Sequence, residues 1–287
     1  MLRSNLVQTK SNALFYLWPC LVMAQNHKQP NLTFQTDFFH AVNHWVVLPK
    51  NGSEHHYLYG YLYFDPAKGI VFYLENTLAF DGTWKLNRDK KSYVLQKTMR
   101  DPEMKVALLP KSIQQLWNLP EKPAALGAIP KKNTADYAAA LGRYFNQLEQ
   151  SSLAVPLLKK ALRKNPNHSN LLFELGFAYN AKARYKKAIR VLELLVQDSP
   201  SQKAWEELGY AYLQTQTIAA AENCYMQALH YCKSTEEIQK IGSEMHRVFL
   251  KFGASDYANK WEAIAKNGEI PEKPNAENDP RILLIKR

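Results

Sequence analysis

Residues 205–212 read WEELGYAY, and 33 positions upstream the chain reads LFELGFAY (172–179). AAALGRYF (138–145) and IQKIGSEM (238–245) extend the series in both directions, so Gly142, Gly176, Gly209 and Gly242 are spaced 34, 33 and 33 residues apart. In each unit the apolar residues recur at steps of three and four, which puts them on one face of a helix. A period of this length marks stacked two-helix units, each covering the apolar face that its neighbour cannot bury alone.

A second helix follows in each unit. Ala154 with Leu158, Ala188 with Leu192, and Ala221 with Tyr225 repeat an A-x-x-x-large pattern. The glycine, set beside these alanines, is expected to let paired helices approach closely. Pro166 and Pro200 lack an N–H and suit the turns between units. Pro156 sits near the start of a second helix, a place it can hold if Ser152 is the N-cap.

With these positions in register across three units, residues 134–266 resemble the tetratricopeptide-repeat (TPR) family. The family's W-x-x-L-G-x-x-Y pattern is complete at Trp205, Leu208, Gly209 and Tyr212; the preceding unit exchanges only the tryptophan, for Leu172. A fourth unit with Met245, Ala254, Ala258 and Trp261 is degenerate and reads as a cap. The resemblance implies a solenoid and a non-catalytic scaffold that binds a protein or peptide partner, with no cofactor. In the family, positions 2, 5, 9, 12 and 13 of each unit line a concave groove. On this chain they fall on Asp136, Arg143, Asn146 and Gln147, then Asn170, Phe173, Phe177 and Asn180, then Lys203, Glu206, Tyr210, Leu213 and Gln214. The cationic set with which some TPR domains clamp a chaperone's C-terminal carboxylate is not reproduced, since the fifth positions are Ala139, Phe173 and Glu206.

Residues 31–119 have another rhythm. HYLYGYLYF (56–64) and GIVFYLEN (69–76), joined through DPAK, read as a β-hairpin; HWVVLPK (44–50), TWKLN (83–87), SYVLQKTM (92–99) and MKVALLP (104–110) read as further strands. Short strands with tight turns predict an antiparallel meander or sandwich, with a short helix over 112–119. The predicted class is therefore α+β: a β domain over 31–119, a proline-rich linker over 120–133, the solenoid, and an extended tail over 267–287.

Alternation places Tyr57, Tyr59, Tyr61 and Tyr63 on one face of their strand, a possible platform for a glycan or other ligand. This supplies the alternative function, an envelope ligand-binding protein acting through the β domain. Asp37, His40 and His44, near His55 and His56, would share a face only if 37–44 were helical, and the strand-like composition argues against a metal site there. No phosphate loop, nucleophile elbow or H-E-x-x-H is present, so no enzyme class is indicated.

The net charge of +11 is not concentrated: residues 31–133 carry 13 basic and 9 acidic side chains, and residues 134–266 carry 17 and 13. Neither half has the dense basic stripe that tracks phosphates, so no nucleic-acid partner is expected. Lys159, Lys160, Arg163, Lys164, Lys186, Lys187 and Arg190 load the outward helices, as a solvated face does; their charge would also suit weak contact with an anionic envelope surface. Arg3, Lys10 and the apolar ALFYLWPCLVMA (13–24) read as a signal peptide cut before Gln25, placing the protein in the periplasm or outside the cell. Cys224 and Cys232, expected in one helix at roughly 12 Å from each other by helical rise, cannot bridge.

Overall fold

The computed structural model describes residues 32–50, 56–80, 83–87, 96–127 and 134–271. The signal peptide read at 1–24, His55 and the tail from 272 lie outside them. The described residues belong to one compact unit.

Among the described residues seven strands form one antiparallel sheet: β1 (Thr36–Asp37), β2 (His44–Val47), β3 (Tyr57–Asp65), β4 (Gly69–Phe80), β5 (Trp84–Leu86), β6 (Gln96–Thr98) and β7 (Lys105–Leu108). Their order is β1-β7-β2-β3-β4-β5, with β6 pairing β4 beside β5. Among the described residues it is a single sheet, a meander from β2 to β5 with β7 inserted between β1 and β2, and no second sheet is stacked on it. The β3–β4 turn is held by Asp65, whose Oδ1 accepts from the N–H of Ala67 (2.8 Å) and of Lys68 (3.1 Å). Gly69 completes the turn at φ +90°, a conformation that suits a residue without a side chain.

Strand β4 runs four residues beyond the predicted end at Asn76. The register slips there: Tyr59 faces Asn76 while Gly60 faces Leu74, so Glu75 is an extra residue on β4. Such a bulge reverses the in/out phase of the strand. Tyr73 and Leu78 therefore share a face although they are five residues apart.

One face of the sheet carries Trp45, Val47, Tyr59, Tyr61, Tyr63, Tyr73 and Leu78; the other carries Val46, Leu62, Phe64, Ile70, Phe72 and Val106. The first lies under α1 (Lys111–Leu116) and the segment after it, through Ile113, Trp117, Leu119 and Leu126. The segment read as a linker begins here, with the Trp45 indole N–H donating to the Pro120 carbonyl at 2.9 Å.

Eight helices follow among the described residues: α2 (Ala135–Gln147), α3 (Ser151–Leu162), α4 (Ser169–Ala181), α5 (Tyr185–Asp198), α6 (Gln202–Gln214), α7 (Ile218–Leu229), α8 (Thr235–Lys251) and α9 (Ser255–Asn267). The first helix of every pair has a side-chain N-cap: Thr134, His168, Ser201 and Ser234 each accept from the N–H three residues on. Pro166 and Pro200 lie between pairs, as expected.

The glycines do permit close approach, and the side chains nearest to them are the large residues of the A-x-x-x-large pattern. A Cβ on Gly142 would come within 2.6 Å of Leu158, one on Gly176 within 2.4 Å of Leu192, and one on Gly209 within 2.9 Å of Tyr225. The alanines at 154, 188 and 221 are fully buried one turn earlier. In the fourth pair Gly242 instead meets the Ala265 backbone, because α8 runs to Lys251 and delays the start of α9.

Two local expectations are corrected. Helix α3 begins at Ser151 after Gln150, so Ser152 is not its cap and Pro156 lies inside the helix. Cys232 lies beyond the end of α7; it and the buried Cys224 are both free.

The second face of the sheet closes the first end of the helical stack. Phe64 meets Tyr137 edge-on at 4.9 Å between ring centroids, and the Tyr144 hydroxyl donates to the Met99 carbonyl. The Tyr144 ring fills the space over Gly69, where a Cβ would lie 2.2 Å away.

Candidate functional site

Helices α2, α4 and α6 pack against one another as well as on their own partners, which brings the first helices together along one side of the stack. The second helices take the other side, and Lys159, Lys160, Arg163, Lys164, Lys186, Lys187 and Arg190 are all exposed there.

The candidate groove residues separate into two groups. Arg143, Gln147, Asn170, Lys203 and Tyr210 are exposed, and Phe173, Phe177, Glu206 and Gln214 are half-buried. Tyr210 is 40% exposed and meets Tyr185 edge-on at 6.1 Å. Phe173 leans on the core. Asp136 is exposed and pairs with His168 at 3.1 Å. Asn146, Asn180 and Leu213, by contrast, are buried. Leu213 joins the core of the last two pairs.

The two asparagines join neighbouring units. The Asn146 amide donates to both the backbone carbonyl and Oε2 of Glu174, each at 3.0 Å. Asn180 repeats the arrangement on Glu207, donating to its carbonyl and to Oε2 at 2.9 Å. Position 12 of one unit thus grips position 6 of the next. These hydrogen bonds to carboxylates are of the stronger, charge-assisted kind.

The two junctions differ in what completes them. At the first, the Arg143 Nε donates to Glu174 Oε1 at 2.9 Å, and the Ser151 hydroxyl donates to Asn146 Oδ1 at 3.1 Å. At the second, Phe177 stands in the repeat position of Arg143 and Tyr185 in that of Ser151. Among the described residues Glu207 has no cationic partner, and Asn180 Oδ1 is buried without a hydrogen bond. Burial pushes the Glu207 carboxyl above its ordinary range; the Asn180 hydrogen bond pulls it down, while Glu206 and Glu174 add to the rise.

Glu174 and Glu207 were absent from the groove read in sequence. The signal was there: both units carry glutamate directly before Leu-Gly, in LFELG and WEELG.

The tyrosine face of the sheet is not an open platform. Tyr59 and Tyr61 are 4% exposed and Tyr63 9%, with Trp117 set 5.7 Å from the Tyr59 ring. Residues 38–41 form a single 3-10 turn, and Asp37 is paired with Lys105. Among the described residues no group of three or more metal-ligating side chains converges, and no helix is long and apolar enough to cross a membrane.

Residues 147–209 match the tetratricopeptide repeat family model. Tetratricopeptide repeat protein 21A of Mus musculus is 26% identical over 147 residues, covering 51% of this chain. The chain spans only 11% of that relative's length. Among solved structures, MamA from Desulfovibrio magneticus RS-1 is 21% identical with a TM-score of 0.42, over 50% of this chain and 79% of that one. PilF of Pseudomonas aeruginosa is 23% identical with a TM-score of 0.40, over 54% and 67%.

Proposed function

We propose that this protein, whose C-terminal half is a tetratricopeptide-repeat region, is a protein-interaction scaffold that holds a segment of a partner protein along the face made by α2, α4 and α6. The role is non-catalytic. The observation that carries this reading is the set of aromatic rings, Phe173, Phe177 and Tyr210, left half-buried or exposed on neighbouring first helices and flanked by polar Arg143, Asn170 and Lys203. Partly solvated aromatic side chains offer contact area at low entropic cost and are the usual anchors of an interface.

The test is affinity capture with the full chain beside a Phe173→Ala, Phe177→Ala variant whose circular dichroism is unchanged. A partner retained by the first and lost by the second is the expected result. Equal capture by both would remove function from this face.

A further inference from the structure

Resting on that groove reading, we propose that the second junction of the repeats receives an arginine side chain of the partner segment. The inference comes from comparing two copies of one arrangement within the chain. At the first junction an asparagine and a glutamate are completed by a guanidinium, Arg143, and by a hydroxyl, Ser151. The second junction keeps the asparagine–glutamate pair, Asn180 and Glu207, and lacks both completing groups.

Two deficits result, of different kinds. Glu207 is a half-buried carboxylate with Glu206 beside it and no cation among the described residues. Asn180 is 5% exposed, and its Oδ1 has no donor. Burial of an acceptor without a donor is unfavourable, and burial of an uncompensated carboxylate more so. A guest carrying positive charge and several N–H donors would answer the first deficit, as Arg143 does for Glu174; the second, which Ser151 answers at the first junction, lies inside the stack.

A guanidinium fits this need better than an ammonium. Its five donors lie in a fixed planar fork, which matches a carboxylate and can reach a second acceptor. Its flat face also stacks on aromatic rings. By repeat register the nearest rings are Phe177, which occupies the position of Arg143, and Tyr210, one turn along α6 from Glu207. Phe177 thus leaves unfilled, within the chain, the position that the partner's arginine would take.

The test uses four fluorescein-labelled heptapeptide pools with Leu, Phe or Ser at random in six positions. The central position is fixed as arginine, lysine, citrulline or glutamate. Anisotropy is read on the full chain, on Glu207→Gln and on Phe177→Arg. Glu207→Gln keeps an oxygen for Asn180 and removes the charge; Phe177→Arg supplies the cation from within. The arginine pool should bind about tenfold or more tighter than the citrulline pool, the scale of a charge-assisted hydrogen bond. Both substitutions should abolish that preference.

Equal binding of arginine and citrulline pools, no binding of the arginine pool, or a preference that survives Glu207→Gln would each overturn the proposal. If all four pools bind alike and Phe173→Ala, Phe177→Ala abolishes their binding, the arginine site falls and the groove stands. If the double alanine variant changes nothing, both fall. Arginine-pool binding that emerges only after removal of residues 272–287 would assign the site to the chain's own RILLIKR and overturn an external partner.

Discussion

Asn146 and Asn180 hold the same place in consecutive units and end in different company. The first has every polar atom bonded; the second leaves its Oδ1 without a donor, and the carboxylate it holds has no cationic partner among the described residues. The carboxyl of Glu207, raised chiefly by burial, binds a proton in the folded chain over a pH range where the unfolded chain has already released it. Its contribution to stability is therefore complete below the ordinary carboxylate range and declines as pH rises through its own, higher value. The groups facing it, Glu206, Glu174, Tyr210 and Tyr225, add no positive charge to offset this. Glu207→Gln should consequently be more stable than the parent at neutral pH. Denaturation midpoints measured from pH 4 to 8 should show the gain shrinking to nothing at the acid end. A gain independent of pH would assign it to something other than charge.

The helices were legible because their signals are local. Apolar residues at steps of three and four and proline between pairs each act within a few residues of their position, and the repeat of the glycines sets the units in register. The misread elements had no such signal. The extension of β4 to Phe80 depends on the bulge at Glu75, and a bulge shows only when the partner strand is in view. The start of α3 uses Gln150 without a side-chain cap, so Ser152 looked the better candidate. Pro156 consequently interrupts the hydrogen bonding of α3 by withholding a donor from Ser152. Since its side chain is exposed, Pro156→Ala should restore that bond and stabilise the protein by about 1–3 kcal/mol. A urea titration with an unshifted midpoint would mean that the helix had already accommodated the proline.

At the scale of the molecule, sheet and repeats share one hydrophobic core through Phe64, Met99, Tyr137 and Tyr144. A lesion in the sheet should therefore be felt by the helices. Gly69→Ala places a methyl group against the Tyr144 ring, at a backbone angle that disfavours it, and should destabilise by about 2–4 kcal/mol. Followed by the helical circular dichroism signal and by tryptophan fluorescence in a Trp205→Phe, Trp261→Phe background, which removes the tryptophans of the repeats, both transitions should move down together. Movement of the fluorescence transition alone would show two independently folding parts. The class of each part, a sheet followed by paired helices, was readable in sequence. The shared core and the Asn–Glu junctions were not, since each depends on which side chains meet across units far apart in the chain.

Closure of the stack by the sheet also gives the array a direction of growth. A repeat solenoid is a modular object, and a gene that duplicates one unit can lengthen it wherever a free or matching helical face exists. Ahead of α2 there is no such face, because the sheet occupies it through Tyr144 and Gly69. New units could be spliced between existing ones or added beyond them, but none could precede Ala135 without evicting the sheet. Cut away from that sheet, the repeats would turn Tyr137, Tyr144 and Phe145 toward water and offer a second copy an adhesive aromatic surface.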